Sequence, residues 1–395
     1  MQDPRAEAKR IFAAGVAAAD PYAAVDGALD AVPQPALIIA VGKAARLMAK
    51  AAIARLAGVP CLVVTNYENA RPLDGATVMA AGHPVPDQNG ADAAQAVIAA
   101  LQGADRPVLA LISGGGSALL PAPAGALTLA DKAKVNDLLL GSGLDIVAMN
   151  LIRQQLSDLK GGGFLRHAAP QKVTALILSD VIGDDLSAIA SGPTVGPIGT
   201  AQEAIALLQN AGLWDALPDV VRQHLQAAGP AAALPVAVNI LVGSNSKSVA
   251  AMKAAAGEAQ VIATPVEGDV AEAARLICDA AATGITVWGG ETTVVLRGSG
   301  RGGRNQELAL RIAVEAAKRG WTDWTCLQGG SDGRDGPTDA AGGLVDQDTL
   351  GKIAELDTLL ANNDSYAALK QAGDLLMTDA TGTNVADLGV MIRRG

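Results

Sequence analysis

Aromatic residues are scarce: two Phe, three Tyr and four Trp in 395 residues. Half of the chain is hydrophobic nonetheless, so Ala, Val, Leu and Ile must fill the cores. Cysteine is rarer still. Cys61, Cys278 and Cys326 are odd in number, far apart and set in apolar runs. That excludes a disulfide framework and reads as buried thiols in a reducing cytoplasm. His83, His167 and His224 share no metal-ligand spacing with one another or with the cysteines, which excludes an ordinary zinc site. Positive charge is outweighed, with 30 Lys and Arg against 40 Asp and Glu and a net charge of −10. That balance argues against a nucleic-acid surface or an anionic membrane as partner. It leaves room for a local cationic pocket, which an anionic substrate would need. No apolar run approaches the ~18 residues of a membrane span. The opening MQDPRAEAKR is charged where a signal peptide needs an apolar core.

Glycine, in contrast, is abundant: 45 residues with no collagen-like period. They cluster after apolar runs, where an α/β protein needs turns. Residues 36–41 (ALIIAV), 61–65, 76–80, 108–112 and 173–179 read as strands. Helical spacing covers 5–19, the stretch closed by Gly58, 88–102, Thr128 to Leu140, and Asp145 to about Lys160. Thr128 with Asp131 three residues on is a capping signature. Strands alternating with helices predict parallel β-α-β units. The composition shifts at 229–235 (GPAAALP), which reads as a linker. Beyond it the strands NILVG, QVIAT, ITVWGG and WTCLQ alternate with helices. A polar loop, a short helix at 363–372 and strands at 374–377 and 389–392 follow.

The economical architecture is two α/β domains with mainly parallel sheets around an interdomain cleft. Residues 1–232 form a larger Rossmann-like domain, and 233–395 a smaller C-terminal one. Ligands of open α/β sheets bind beyond the carboxyl ends of the strands, and five clusters fall there. They are Lys43 in GKAA, His83 in GHPVPD, SGGGS at 113–117, Asp180 after ALILS, and SDGRDGPTD at 331–339. In SGGGS, Ser113, Gly114, Gly115, Gly116 and Ser117 permit several N–H groups to converge on a phosphate or carboxylate. The pattern is neither Walker A nor GxGxxG.

Lys43 sits where its charge opposes the helix macrodipole, so anion binding competes with a solvated helix start as its reason. Arg304, in GGRNQE, and Arg301 offer planar forks for phosphate or carboxylate. The carboxylates Asp180, Asp184, Asp185, Asp332, Asp335 and Asp339 lie in glycine-rich loops, a setting that suits magnesium and local turn bonding alike. Asp180 and Asp332 follow their strands most closely and are the candidate metal ligands. His83 precedes a proline, and either sets a turn or touches ligand. Arg153 and Lys160, in NLIRQQLSDLKGGG, are candidate substrate contacts or a solvated helix face.

The order GKAA, GHPVPD, SGGGSALL, NLIRQQLSDLKGG, SDVIGDDLSAIASGPT, GGRNQELAL, SDGRDGPTDAAG and TGTNVADL resembles the glycerate 2-kinase family. Some members of that family carry the label hydroxypyruvate reductase. The resemblance spans about Ala36 to Met391. It implies a two-domain α/β kinase; a cytoplasmic monomer or homodimer is the expectation beside it. The enzyme would move the γ-phosphoryl of ATP to the C2 hydroxyl of D-glycerate with Mg2+. By resemblance Lys43 and Arg304 are the catalytic cations and Asp180 an active-site acid, whether as base, orienter or metal ligand. Phosphoryl transfer asks for positioned cations and a metal more than for covalent chemistry, and the loops contain those parts. Two other readings stand beside it. An NAD(P)H-dependent hydroxypyruvate reductase would be expected to show a dinucleotide fingerprint, and no GxGxxG follows any expected strand. A non-catalytic ligand-binding protein on the same fold would have no use for Lys43, Arg304 and both acidic loops.

Overall fold

The structure, a computed structural model, describes residues 3–229 and 233–394. Residues 230–232, inside the expected linker and at the expected domain boundary, lie outside the described residues. The chain divides into two compact units. The first comprises Pro21–Ser179 and Gly183–Val242; the second comprises Met1–Asp20, Asp180–Ile182 and Gly243–Gly395. The first helix, Pro4–Ala17, therefore packs with the carboxy-terminal half. Its Ala8, Ile11 and Phe12 join Met252, Leu327 and Leu388 in one core. Periodicity finds this helix but cannot say which sheet its apolar face covers.

The first unit is built on β1 (Leu37–Val41), β2 (Cys61–Asn66), β3 (Thr77–Ala81), β4 (Val108–Ser113), β5 (Val173–Leu178) and β6 (Ala237–Gly243). Among the described residues they form one sheet in the order β3-β2-β1-β4-β5-β6. The ladders β1–β2, β1–β4, β2–β3 and β4–β5 are parallel. β1, β4 and β5 are buried along their whole length, which explains their unbroken apolar runs. Thr128 does cap helix Leu129–Leu140 in a capping box with Asp131, and Asp145 caps helix Ile146–Gln155.

That last helix ends earlier than its spacing suggests. Ser157 pairs across to Pro123, and Gly161 and Gly162 adopt φ of 52° and 78°, a region closed to most side chains. Lys160 consequently lies in a turn and not on a helix face. A further helix, Gly163–Ala168, follows.

The second unit contains β7 (Ala259–Val261), β8 (Val266–Asp269), β9 (Gly284–Thr293), β10 (Trp324–Gly330), β11 (Gly342–Asp346), β12 (Leu375–Leu376) and β13 (Asp387–Arg393). Its sheet runs β12-β11-β10-β13-β9-β7, with β8 also on β9. The α/β class holds, but here the expectation of a mainly parallel sheet needs correcting. Ladders β7–β9 and β8–β9 are parallel; β10–β11, β10–β13, β11–β12 and β13–β9 are antiparallel. Helix Arg304–Lys318 does link β9 to β10, as β-α-β alternation requires. β13 then inserts between those two strands in the opposite direction. From β10 to β11 the chain crosses a loop with no helix, and such a connection returns antiparallel.

Candidate functional site

In the first unit the strand order reverses between β1 and β4, the switch point at which open α/β sheets bind ligands. Both strand ends are stitched together there. Ser113 Oγ accepts the Ala44 N–H at 3.1 Å, and the Lys43 N–H donates to the Gly114 carbonyl at 2.9 Å. Gly42, at φ 123°, has no room for a side chain: a Cβ would lie 2.2 Å from Ser113 Oγ. Gly115 has φ 85°, and a Cβ there would sit 3.2 Å from both His83 Cδ2 and Lys43 Cγ. So Lys43 and His83, distant in sequence, flank the glycine loop from two sides. Burial, reinforced by the Lys43 charge and opposed by Glu68, holds the His83 imidazole below its ordinary range. At neutral pH it is an uncharged ring, able to accept a proton.

Ser117 closes the loop. Its Oγ accepts a hydrogen bond from Lys160 Nζ at 2.7 Å and lies 2.9 Å from Ser191 Oγ. Gln154, buried beneath, donates to the Ser191 carbonyl at 3.2 Å and accepts the Ile198 N–H at 3.0 Å. Burial, followed by repulsion from Arg153, pushes the Lys160 ammonium down to about 7. Arg153 itself donates to Asn136 Oδ1 at 2.5 Å. Lys43, His83, residues 113–117 and Lys160 thus form one constellation, with Arg153 close behind.

The second unit holds Arg304 at the start of its helix. Its Nε and Nη2 grip Asp387 at 2.6 and 3.1 Å, and its Nη1 meets Glu291 at 2.7 Å. These bonds use three of the five N–H donors of a guanidinium. Asp387 is also fixed by Asn305 Nδ2 at 2.9 Å. Gln328 donates to Asn305 Oδ1 at 2.6 Å, and the Trp288 indole donates to Gln328 at 2.9 Å. Burial pushes the Asp387 carboxyl up to about 6, although Arg304 and Asn305 pull the other way.

The remaining carboxylates divide by environment. Asp335 is buried and caps the Arg304 helix, accepting the Asn305 and Gln306 N–H groups at 3.1 and 2.8 Å; burial raises its carboxyl. A Cβ on Gly303 would strike that carboxylate at 2.3 Å. Asp332 is half-buried and accepts the Arg334 N–H at 2.9 Å, a local turn bond. Asp185 holds Ser187, and Asp339 accepts the Tyr366 hydroxyl. Arg301 stacks on the Tyr366 ring at 5.0 Å. Asp180 is half-buried and is counted with the second unit. Among the described residues no group of three or more His, Cys, Asp and Glu side chains is arranged to hold a metal. None of their helices is long and apolar enough to cross a membrane.

Residues 7–226 match a family described as Domain of unknown function (DUF4147), and residues 284–387 match the MOFRL family. A D-glycerate 2-kinase of Thermotoga maritima is 39% identical, over 89% of this chain and 89% of that protein. The chain belongs to the glycerate 2-kinase family. A relative from Agrobacterium vitis with the provisional label hydroxypyruvate reductase is 40% identical, over 97% of this chain and 93% of its own. The crystal structure of a glycerate kinase from Thermotoga maritima aligns with a TM-score of 0.90 at 37% identity, covering 97% of each chain.

For a member of this family, the sequence reading overlooks Asp387, Glu291, Asn305 and Ser191. Asp387 had a visible signal: it is the acidic residue in TGTNVADL, directly before the apolar strand LGVMI. Glu291 and Ser191 have none, because only the fold sets them beside Arg304 and Ser117.

Proposed function

We propose that this chain is an ATP-dependent glycerate 2-kinase, giving 2-phosphoglycerate and ADP from D-glycerate. The observation that carries the reading is Lys43 packed against Gly115 at the β1/β4 switch point. It occurs in a chain that matches a named D-glycerate 2-kinase over most of both lengths. A lysine and a glycine-rich backbone at parallel strand ends supply positioned positive charge, which phosphoryl transfer needs most. The Rossmann-like strand order supports nucleotide binding at this edge. Lys43 and the N–H groups of residues 114–116 hold phosphate oxygens. His83, uncharged beside Lys43, would accept the proton of the attacking hydroxyl.

Arg304 is the second catalytic cation of this reading; among the described residues two of its N–H donors are left over, and its two carboxylates fix the direction of that fork. Mg2+ arriving with ATP would neutralise charge between the phosphates. Magnesium takes one or two carboxylates and completes its shell with phosphate and water, so either of the half-buried Asp180 and Asp332 would suffice without a full protein cage. They are the side chains that would hold it. A cytoplasmic setting is supported by three buried, unpaired cysteines.

The deciding assay compares D-glycerate plus MgATP with hydroxypyruvate plus NADH. ADP should form in the first and NADH should persist in the second. Coupling the product to enolase and pyruvate kinase without a mutase reads the regiochemistry, because enolase accepts the 2-phosphate directly. Pyruvate should appear at once. Pyruvate that appears only after adding mutase, or robust NADH oxidation, removes the assignment.

A further inference from the structure

The cations behind the glycine loop form a charge imbalance within the first unit. Lys160 is buried, and among the described residues its ammonium has one hydrogen-bond acceptor, Ser117 Oγ, although an ammonium has three N–H donors. Arg153 donates to the side-chain oxygens of Asn136 and Asn150. Lys132 donates to the Pro121 carbonyl. Among the described residues none of these three cations forms an ion pair. Asp158 attracts Lys132 from a distance, while Lys160 repels Lys132 and Arg153 repels Lys160. Burying charge without a counter-charge is costly. The arrangement becomes favourable when an anion joins it.

Room for one lies beside Lys160, which borders a cavity of about 230 Å3 together with Gln154, Gln155, Ser157, Arg166 and His224; Ser117 and Ser191 are outside that lining, and Asp158 is the only acid in it among the described residues. Through its ammonium, Lys160 also reaches Ser117 and, one hydroxyl further, Ser191.

We propose that Lys160, backed by Arg153 and bordering this cavity, forms the subsite for the carboxylate of an α-hydroxy acid. This deepens the kinase reading and rests on it for the identity of that acid. The C2 hydroxyl is one bond from the carboxylate carbon and the C3 hydroxyl adds a rotation, so a clamped carboxylate selects the first.

Calorimetric titration of the full chain with D-glycerate, without nucleotide, tests this from about pH 6 to about pH 9. Because the empty-site ammonium is pushed down to about 7, an arriving carboxylate raises it again. Binding should therefore take up a proton above neutrality, seen as a heat that varies with buffer ionisation enthalpy. Affinity should fall by up to about tenfold per pH unit there. This readout needs no variant. Lys160→Met and Lys160→Gln should each weaken D-glycerate binding by roughly 10- to 100-fold, the value of a charged hydrogen bond, and Lys160→Arg should recover part of it. Glycerol, which lacks the carboxylate, should not compete.

Unchanged binding in both neutral variants, absence of proton uptake, or competition by glycerol overturns the subsite. Inorganic phosphate binding more tightly than D-glycerate would assign the cations to a phosphoryl group and overturn the carboxylate assignment too. Any of these results leaves ADP formation by the wild-type enzyme intact. Failure of the kinase reading shows instead as no ADP formed, whatever the titration gives.

Discussion

Lys160 in the first unit and Arg304 in the second are both withdrawn from water, and their surroundings drive them in opposite directions. Arg304 is a third exposed and lies against two carboxylates, which raise it further above its ordinary range. Lys160 has a hydroxyl where Arg304 has carboxylates, and its ammonium falls to about 7. Burial by itself penalises both charges; the partner decides the outcome. Arg304 is complete in the fold and serves as a fixed charge. Lys160 is incomplete, so its charge responds to what arrives. Chemistry reinforces the contrast, because a guanidinium stays protonated when buried whereas a lysine gives up its proton.

Removing the fixed charge should do the most damage. Arg304→Ala is expected to lower kcat by at least about 100-fold, and Arg304→Lys should fail as well, lacking the fork. Because Asp387 is left buried and unpaired, the alanine variant should also lose about 3 kcal/mol in denaturant unfolding at pH 7. That loss should shrink as pH falls and Asp387 takes up a proton. If Arg304→Ala turns over normally, the guanidinium is structural and the contrast concerns stability alone.

Next comes Asp387→Asn. The folded carboxyl titrates at about 6, above its unfolded value. The folded state therefore holds the extra proton between roughly pH 4 and pH 6, and this group favours folding more as pH falls through that window. The asparagine variant should flatten that part of the stability profile and, by loosening Arg304, cut kcat by about tenfold. An acid limb of kcat near 6 that survives the substitution would belong to another group.

Lys160→Met should move stability the other way. A depressed lysine makes the unfolded chain the better proton binder between about 7 and the ordinary lysine range, so its penalty fades as pH rises through that window. The methionine variant should equal or exceed the wild type by about 1–2 kcal/mol at pH 7, with the advantage gone near pH 10. A uniform loss at all pH values would mean that Lys160 is a packing residue. The smallest effect serves as the control: Thr128→Ala, which uncaps the helix carrying Lys132, should lose about 1 kcal/mol. Its loss should show no slope across the same range.

Much of this contrast was hidden in the sequence, and unevenly. Strand ends and caps are local, so Lys43, SGGGS, Thr128 and Asp145 were readable from spacing and residue type. Lys160 was visible as a residue but not as a buried one, because the helix pattern ran past Gln155 and the bridge of Ser157 to Pro123 is a tertiary event. Arg304 was legible as a fork, while of its two acids Glu291 lies 13 residues back on the preceding strand and Asp387 lies 83 residues on. β11 and the reversed β13 escaped because the alternation rule assumes a helix in every connection. Asp335 looked like a metal carboxylate in its glycine-rich loop, and only the packing of Gly303 against it reveals a helix cap.

The first helix adds a matter of timing. Arg5 reaches Asp346, the Leu344 carbonyl and Asp374, and Phe12 lies against Gly329. In chain order this helix precedes the whole first unit, yet the strands it covers follow that unit. At roughly 5–20 residues per second, the helix waits tens of seconds or less while the whole first unit is synthesised and is free to fold. During that interval its apolar stripe is without its sheet. That core joins residues made before the first unit to residues made after it, so removing helix Pro4–Ala17 or strand Asp387–Arg393 strikes the same core.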